Sequence, residues 1–313
     1  MWSISIIFLF TQFLVFSSCL STNCPTKEEI FPCSCKTLAN IMHVVCADFN
    51  SSSTLVNAFK VLRNHRITRA LFHGLYFTDT LPNDLFDEMH IESLKVEKSR
   101  WQFSQPAFKA LANSLSSLYI MQNSMITSKD GFALARLTKL SALNVQSNSL
   151  PKIKDTWLNG KVPNVHNLVL DENGISEVES NAFSQLKQLR IISLANNQIK
   201  ALKRSTLPCP AAYLIKIDLS HNTIGMIPSD FFVNMPSLTE VILTGNELQT
   251  LPQATWTPVW ENLQKVLLFN NKIVCDQNLD WIKRYRRVLQ LEGDCVAPKE
   301  RAGRPIRDMY YSR

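Results

Sequence analysis

The chain lacks every short motif on which enzyme chemistry commonly rests. There is no glycine-rich phosphate loop, no H-E-x-x-H helix and no G-x-S-x-G elbow, and the six histidines (His43, His65, His73, His90, His166, His221) form no motif. Catalysis, cofactors and a metal centre are therefore not expected. Glycine is scarce, at 8 of 313 residues, and no low-complexity or Pro/Gly/Ser-rich stretch divides the sequence, which argues for one continuous domain. Charge is absent from the first 21 residues, where Ile6 to Phe16 forms an apolar run too short to span a bilayer comfortably. Residues 1–21 thus read as a signal peptide cleaved near Ser21; the alternative, an uncleaved anchor, is weakened by Thr11 and Gln12. The final residues carry no hydrophobic tail of the kind that stops transfer or signals a lipid anchor. The expectation is a secreted, extracellular protein, for which nucleic acid is not a partner.

What is present is a repeat. The pattern L-x-x-L-x-L-x-x-N-x-L runs from Leu189, Leu214, Leu238 and Leu263, and its register extends backward to Val165, Leu140, Leu115, Ile91 and Ile67, with starts 24 or 25 residues apart. The four apolar columns of nine copies make 36 positions, and none holds a polar residue. This is the leucine-rich-repeat signature, and it predicts an α/β solenoid: a curved parallel sheet of nine repeats, each burying its apolar face against its neighbours. Phe108, Phe132, Trp157, Phe183, Phe232 and Trp256 fall six to eight residues before a copy begins and are expected to fill the convex side. Asn123, Asn148, Asn173, Asn197, Asn222, Asn246 and Asn271 sit where the chain turns inward, where an amide can satisfy buried backbone groups. Repeats one and two carry Leu75 and Ser99 there instead and are expected to be less regular. The boundaries that follow are 22–66 for an N-terminal cysteine cap, 67–273 for the repeats and 274–313 for a C-terminal cap.

Seven cysteines remain after the leader, an odd number. Cys24, Cys33, Cys35 and Cys46 precede the first repeat as C-x8-C-x-C-x10-C, which resembles the N-terminal cap of extracellular leucine-rich-repeat proteins such as those of the Slit group. That resemblance implies pairing of Cys24 with Cys35 and of Cys33 with Cys46, and an oxidising compartment weighs against four zinc-bound thiolates. The run Cys275-Asp-Gln277-Asn-Leu279-Asp-Trp281 is similar to the C-terminal cap of the same proteins, with Gln277 in place of the second cysteine. The last cysteine of that cap is missing too, so the resemblance implies a single bridge, Cys275 with Cys295. Cys209 is left over, either a partly buried free thiol or half of an intermolecular bridge. The Cys24-Pro25 opening, Pro32-Cys33-Ser34-Cys35, the repeat count and the shortened basic cap together resemble arthropod secreted proteins similar to the non-catalytic subunit of oplophorus-luciferin 2-monooxygenase. Such a resemblance implies a binding or stabilising role without luciferase activity.

Function is sought on the concave sheet. His73, His166 and His221 lie there, but in repeats one, five and seven, several strand spacings of about 4.8 Å apart and too distant to share a metal. Most outward positions are small or polar, whereas Ile242, Leu267 and Phe269, with Ile191 and Ile215 nearby, place apolar side chains toward the open face. Either they form a partner site or the C-terminal cap folds over them. The formal net charge is +7, and the stretch from Trp281 to Arg313 holds nine basic against four acidic residues. That surplus is a solvated face or a weak contact for an anionic surface or sulfated glycan. Asn50-Ser51-Ser52 is a glycosylation sequon. Two roles stay open: a secreted recognition module for an extracellular protein or glycan, and an accessory subunit of a secreted enzyme.

Overall fold

The computed structural model describes residues 20–103, 108–127 and 134–311, with the side chains of 125–127 left aside. Residues 1–19 of the expected signal peptide lie outside the described residues, as does Phe132, whereas Ser21 pairs with the chain beside His65, its N–H donating to Asn64 O at 3.0 Å. Among the described residues no helix is long and apolar enough to cross a membrane.

One twelve-stranded sheet runs the length of the molecule, its strands hydrogen-bonded in chain order. It opens with an antiparallel hairpin, Ser34–Leu38 against Ile41–Ala47, and every later pairing is parallel. The nine repeats supply one strand each, and Gln290–Glu292 of the C-terminal segment adds the last. This is a leucine-rich-repeat solenoid with disulfides at both ends. The apolar columns explain it: position four of each repeat is the inward residue of a short strand, as Ile192 is between Ile191 and Ser193. Met125 aside, the column residues are all buried except Leu150, which packs half-buried against the same core.

The asparagine ladder holds the turns. In each of the last six repeats the amide donates to a carbonyl of the repeat before it, for example Asn222 Nδ2 to Leu194 O at 2.9 Å and Asn246 Nδ2 to Leu219 O at 2.9 Å. From Asn173 onward the amide oxygen accepts a backbone N–H in return, as Asn222 Oδ1 does from Ile199 N at 2.9 Å, whereas the buried Asn148 Oδ1 has no such partner among the described residues. The residue before the ladder position turns left-handed in every repeat, from Gly74 and Lys98 to Gly245 and Asn270. At Gly245 a Cβ would stand 2.6 Å from His221 Nδ1, so both the positive φ and the close approach call for glycine there.

The irregularity expected of repeats one and two shows on their convex side, where the pairing of Tyr76–Leu81 with Arg100–Phe103 shifts register between Tyr76 and Thr80, but not on the concave sheet. Repeats one and two have the longest strands, Arg66–His73 and His90–Glu97. Ser99 there does what the asparagine does in later repeats, since its hydroxyl accepts from Leu75 N at 3.1 Å and donates to Glu97 O at 2.7 Å. Repeat three carries a one-residue slip. Asn123 is exposed with φ +60°, and the buried Ser124 takes the ladder position, accepting from Ser99 N at 3.3 Å and donating to Met121 O at 2.6 Å. Backbone pairing agrees, because Trp101 registers with Ile126 and not with Met125. A second left-handed residue absorbs the extra length, which is why spacing alone could not reveal the slip.

The convex side holds two aromatic clusters. Phe59, Phe72, Phe86, Trp101 and Phe108 pack in a chain of ring contacts behind the first repeats. Phe232, Trp256, Trp260 and Trp281 do the same at the far end, with Trp260 and Trp281 centroids 4.7 Å apart. The expected convex aromatics Phe108, Trp157, Phe183, Phe232 and Trp256 are buried.

Three disulfides close the ends: Cys24–Cys35, Cys33–Cys46 and Cys275–Cys295. At the N-terminal end the helix Ser52–Leu62 follows Ser51, whose hydroxyl accepts from Thr54 N, and buries Leu55, Ala58, Phe59 and Leu62 along one face. At the C-terminal end Trp281 is buried and donates its indole N–H to Leu251 O at 2.9 Å, which fastens the cap to the last turns of the core.

Candidate functional site

The strand register decides which outward residues are neighbours. Asp218, Ile242, Leu267 and Glu292 fall in one row across adjacent strands, so Ile242 and Leu267 stand side by side with a carboxylate at either end. Phe269 follows Leu267 two residues on, toward the ladder turn, and is 39% exposed. Ile191 and Ile215 do not join them. Ile191 registers with Lys216, one row away, and Ile215 lies just before its strand, 40% exposed. The five apolar positions therefore form one contiguous group of three and two outliers. Gln290–Glu292 continues the sheet beside Leu267, and Arg307 pairs with Glu292 at the end of the row, while Ile242 and Leu267 stay half-buried and Phe269 exposed.

Polar order surrounds the apolar group. Ser193 Oγ donates to Asp171 Oδ1 at 2.6 Å and Ala195 N donates to the same oxygen at 2.8 Å. Burial nevertheless pushes the Asp171 carboxyl above the usual carboxylate range, with Asp218 and Glu172 nearby adding to the rise while those two hydrogen bonds oppose it. Ser220 Oγ donates to Asp218 Oδ1 at 2.7 Å. These carboxylates are fixed by their neighbours and gather no metal site, since no group of three or more His, Cys, Asp or Glu suited to an ion occurs among the described residues.

The basic C-terminal segment is partly neutralised within itself. Lys283 pairs with Asp280 at 2.7 Å, Arg307 with Glu292 at 2.9 Å, and Arg301 donates to Cys275 O at 2.9 Å. Arg284, Arg286 and Arg287 remain exposed, with the Arg287 guanidinium 4.4 Å over the Tyr311 ring. Asn50 is exposed in the loop leading to the Ser52–Leu62 helix. Cys209 is a free cysteine and is exposed, contrary to the expectation of partial burial. The cause is Arg204, which turns inward to donate to Val233 O at 2.7 Å and Pro208 O at 2.9 Å, occupying the space under the Pro208-Cys209-Pro210 loop.

A second feature escapes sequence reasoning, a hollow on the same face at the opposite end. It lies over the strands Ile41–Ala47, Arg66–His73, His90–Glu97, Ser117–Met121 and Ala142–Asn144, with Val45, Leu71, Tyr119 and Met121 among its lining residues. The signal was available: these residues occupy the same outward columns as Ile242, Leu267 and Phe269.

Comparison with known proteins follows the same lines. The family model described as leucine rich repeat matches residues 163–210 and 212–273, the part in which the asparagine ladder is regular. A search of curated proteins by sequence finds no match. Among solved structures, the chain resembles the leucine-rich-repeat part of FLRT2 in its octameric complex with Latrophilin 3 and Unc5D, with a TM-score of 0.59 at 19% identity over 84% of this chain and 87% of that one. It also resembles RP105 from the mouse RP105/MD-1 complex, with a TM-score of 0.60 at 18% identity, over 82% of this chain but only 43% of that one. At such identities, and with 383 solved chains matching, the likeness defines the solenoid fold and assigns no partner.

Proposed function

We propose that this chain is a secreted, non-catalytic recognition protein that binds an extracellular protein through its concave sheet. The observation that carries the reading is the contiguous apolar group Ile242, Leu267 and Phe269, left open on a face whose other outward residues are largely polar. The leucine-rich-repeat structures it resembles come from protein complexes, FLRT2 with Latrophilin 3 and Unc5D, RP105 with MD-1. Three disulfides fit an oxidising compartment, and with them go cleavage of a leader near Ser21 and glycosylation at Asn50. The test is capture from the native fluid on immobilised protein. The wild type should retain a partner that Leu267→Ser with Phe269→Ser loses about tenfold or more, while unfolding stays unchanged because both side chains are already partly in water. Equal capture by both proteins would refute the site. A stoichiometric enzyme in the bound fraction would recast the protein as an accessory subunit, the role implied by its resemblance to luciferase-associated non-catalytic subunits.

A further inference from the structure

We infer that the concave sheet carries a second binding site, at its N-terminal end, which takes an extended peptide segment bearing both apolar and acidic side chains. The hollow there measures about 410 Å³, within the range of pockets that hold side chains or small ligands. Its shape follows from the register. Val45, Leu71, Lys95 and Tyr119 stand in one row across four strands, while the next row holds Arg69 followed by Ser93 and Ser117. The two small serines leave the floor low beside the larger row, and the depression runs across the strands instead of along them.

The chemistry selects the occupant. Val45, Leu71 and Tyr119 are half-buried and offer an apolar wall, which favours side chains of like kind. Lys95 is engaged by Glu97, and His73 lies 3.6 Å from the same carboxylate, so those charges are matched within the protein. Arg69 is different: it is exposed and makes no ion pair among the described residues. A guanidinium at the lip of an apolar trough recognises a carboxylate whose neighbours are apolar, since Arg binds carboxylates in a bidentate fork. The hollow reaches from His43 to Asn144, across five strands, which at about 4.8 Å per spacing is roughly 19 Å, the length of about six extended residues. A peptide of that length laid across the strands would place alternate side chains on the wall and a carboxylate at Arg69. This site is independent of the Ile242 group, and its test separates the two.

The probe is a fluorescein-labelled decapeptide of alternating leucine and aspartate, with alternating leucine and lysine as the charge-reversed control, read by fluorescence anisotropy against the full chain. The acidic peptide should bind, the basic one should not, and Arg69→Glu should weaken binding tenfold or more without altering the unfolding curve, because Arg69 is exposed. Tyr119→Ser should weaken it by a similar factor, and Phe269→Ser should leave it unchanged. Binding of both peptides alike, binding of neither, or an unaffected Arg69→Glu would each overturn the inference. So would an acidic peptide that fails while heparin binds in an Arg69-dependent way, which would make the site one for a sulfated glycan.

Discussion

Replacing Asn222 by aspartate should destabilise the solenoid more than replacing it by alanine, although aspartate is nearly isosteric with the native residue. The reason lies in what the amide touches. Asn222 Nδ2 faces three carbonyls, Leu194 O at 2.9 Å, Leu219 O at 3.0 Å and Ser220 O at 3.2 Å, and Oδ1 accepts from Ile199 N at 2.9 Å. With alanine all three carbonyls keep a partner, because Asn197 Nδ2 also donates to Leu194 O, Asn246 Nδ2 to Leu219 O and Asn196 N to Ser220 O. The main loss is the Ile199 N–H left unpaired in the core, at about 1–3 kcal/mol, plus a small cavity. With aspartate the Ile199 bond survives, but a buried carboxylate now faces three carbonyl oxygens, an uncompensated charge costing about 3–5 kcal/mol. The two variants also differ in pH response. Burial and the opposing carbonyls raise the folded-state pKa of the new carboxyl, so its protonated form is favoured on folding; the stability it retains is full at low pH and declines as pH rises through that raised value. Urea unfolding of both variants at acid and neutral pH measures this directly. An aspartate variant as stable as the alanine variant at neutral pH, or one insensitive to pH relative to it, would refute the account of the ladder.

The one-residue slip in repeat three predicts an inversion of the usual rule: Ser124→Ala should lower stability by about 1–2 kcal/mol, whereas Asn123→Ala, at an exposed left-handed residue, should cost under about 1 kcal/mol. Unfolding midpoints of the two variants compare them. Removing the Cys275–Cys295 bridge, which spans a sequence separation of 20, should cost about 3 kcal/mol on loop-closure grounds and loosen the C-terminal cap before the repeats. Native-state hydrogen exchange of the double alanine variant would show the Gln290–Glu292 amides losing protection ahead of those in Ile191–Ser193.

The repeat architecture was legible because solenoid stacking imposes the same burial on the same columns in every unit. Ile67, Leu168 and Leu268 answer to one requirement, and repetition turns nine weak local signals into a strong one. The slip at Asn123 was not legible, because a left-handed residue can be inserted without disturbing the apolar columns before it, and asparagine is itself at home in that conformation. The exposure of Cys209 escaped for a similar reason: nothing local to Pro208-Cys209-Pro210 announces that Arg204 fills the space beneath. On the concave face the sequence identified outward residues one by one but not which of them adjoin. Ile191 and Ile242 look equivalent as apolar outward positions, yet register sets them in different rows.

That same register bears on whether one partner or two would occupy the concave face. From the strand holding Tyr119 to the one holding Ile242 there are five spacings, about 24 Å, and the residues between are mostly polar or small. A single globular partner burying about 800 Å² of this chain can cover such a span, with its apolar anchors at the two ends and water over the middle. In that case Arg69→Glu and Phe269→Ser, too far apart to interact directly, should weaken capture of the same partner by factors that multiply in the double variant. If the ends serve separate partners, each substitution should abolish one and spare the other, and the double variant should lose both with no partner sensitive to each. Quantitative pull-down with the two single variants and the double variant distinguishes these outcomes. A partner insensitive to both substitutions would remove the concave face from the recognition mechanism altogether.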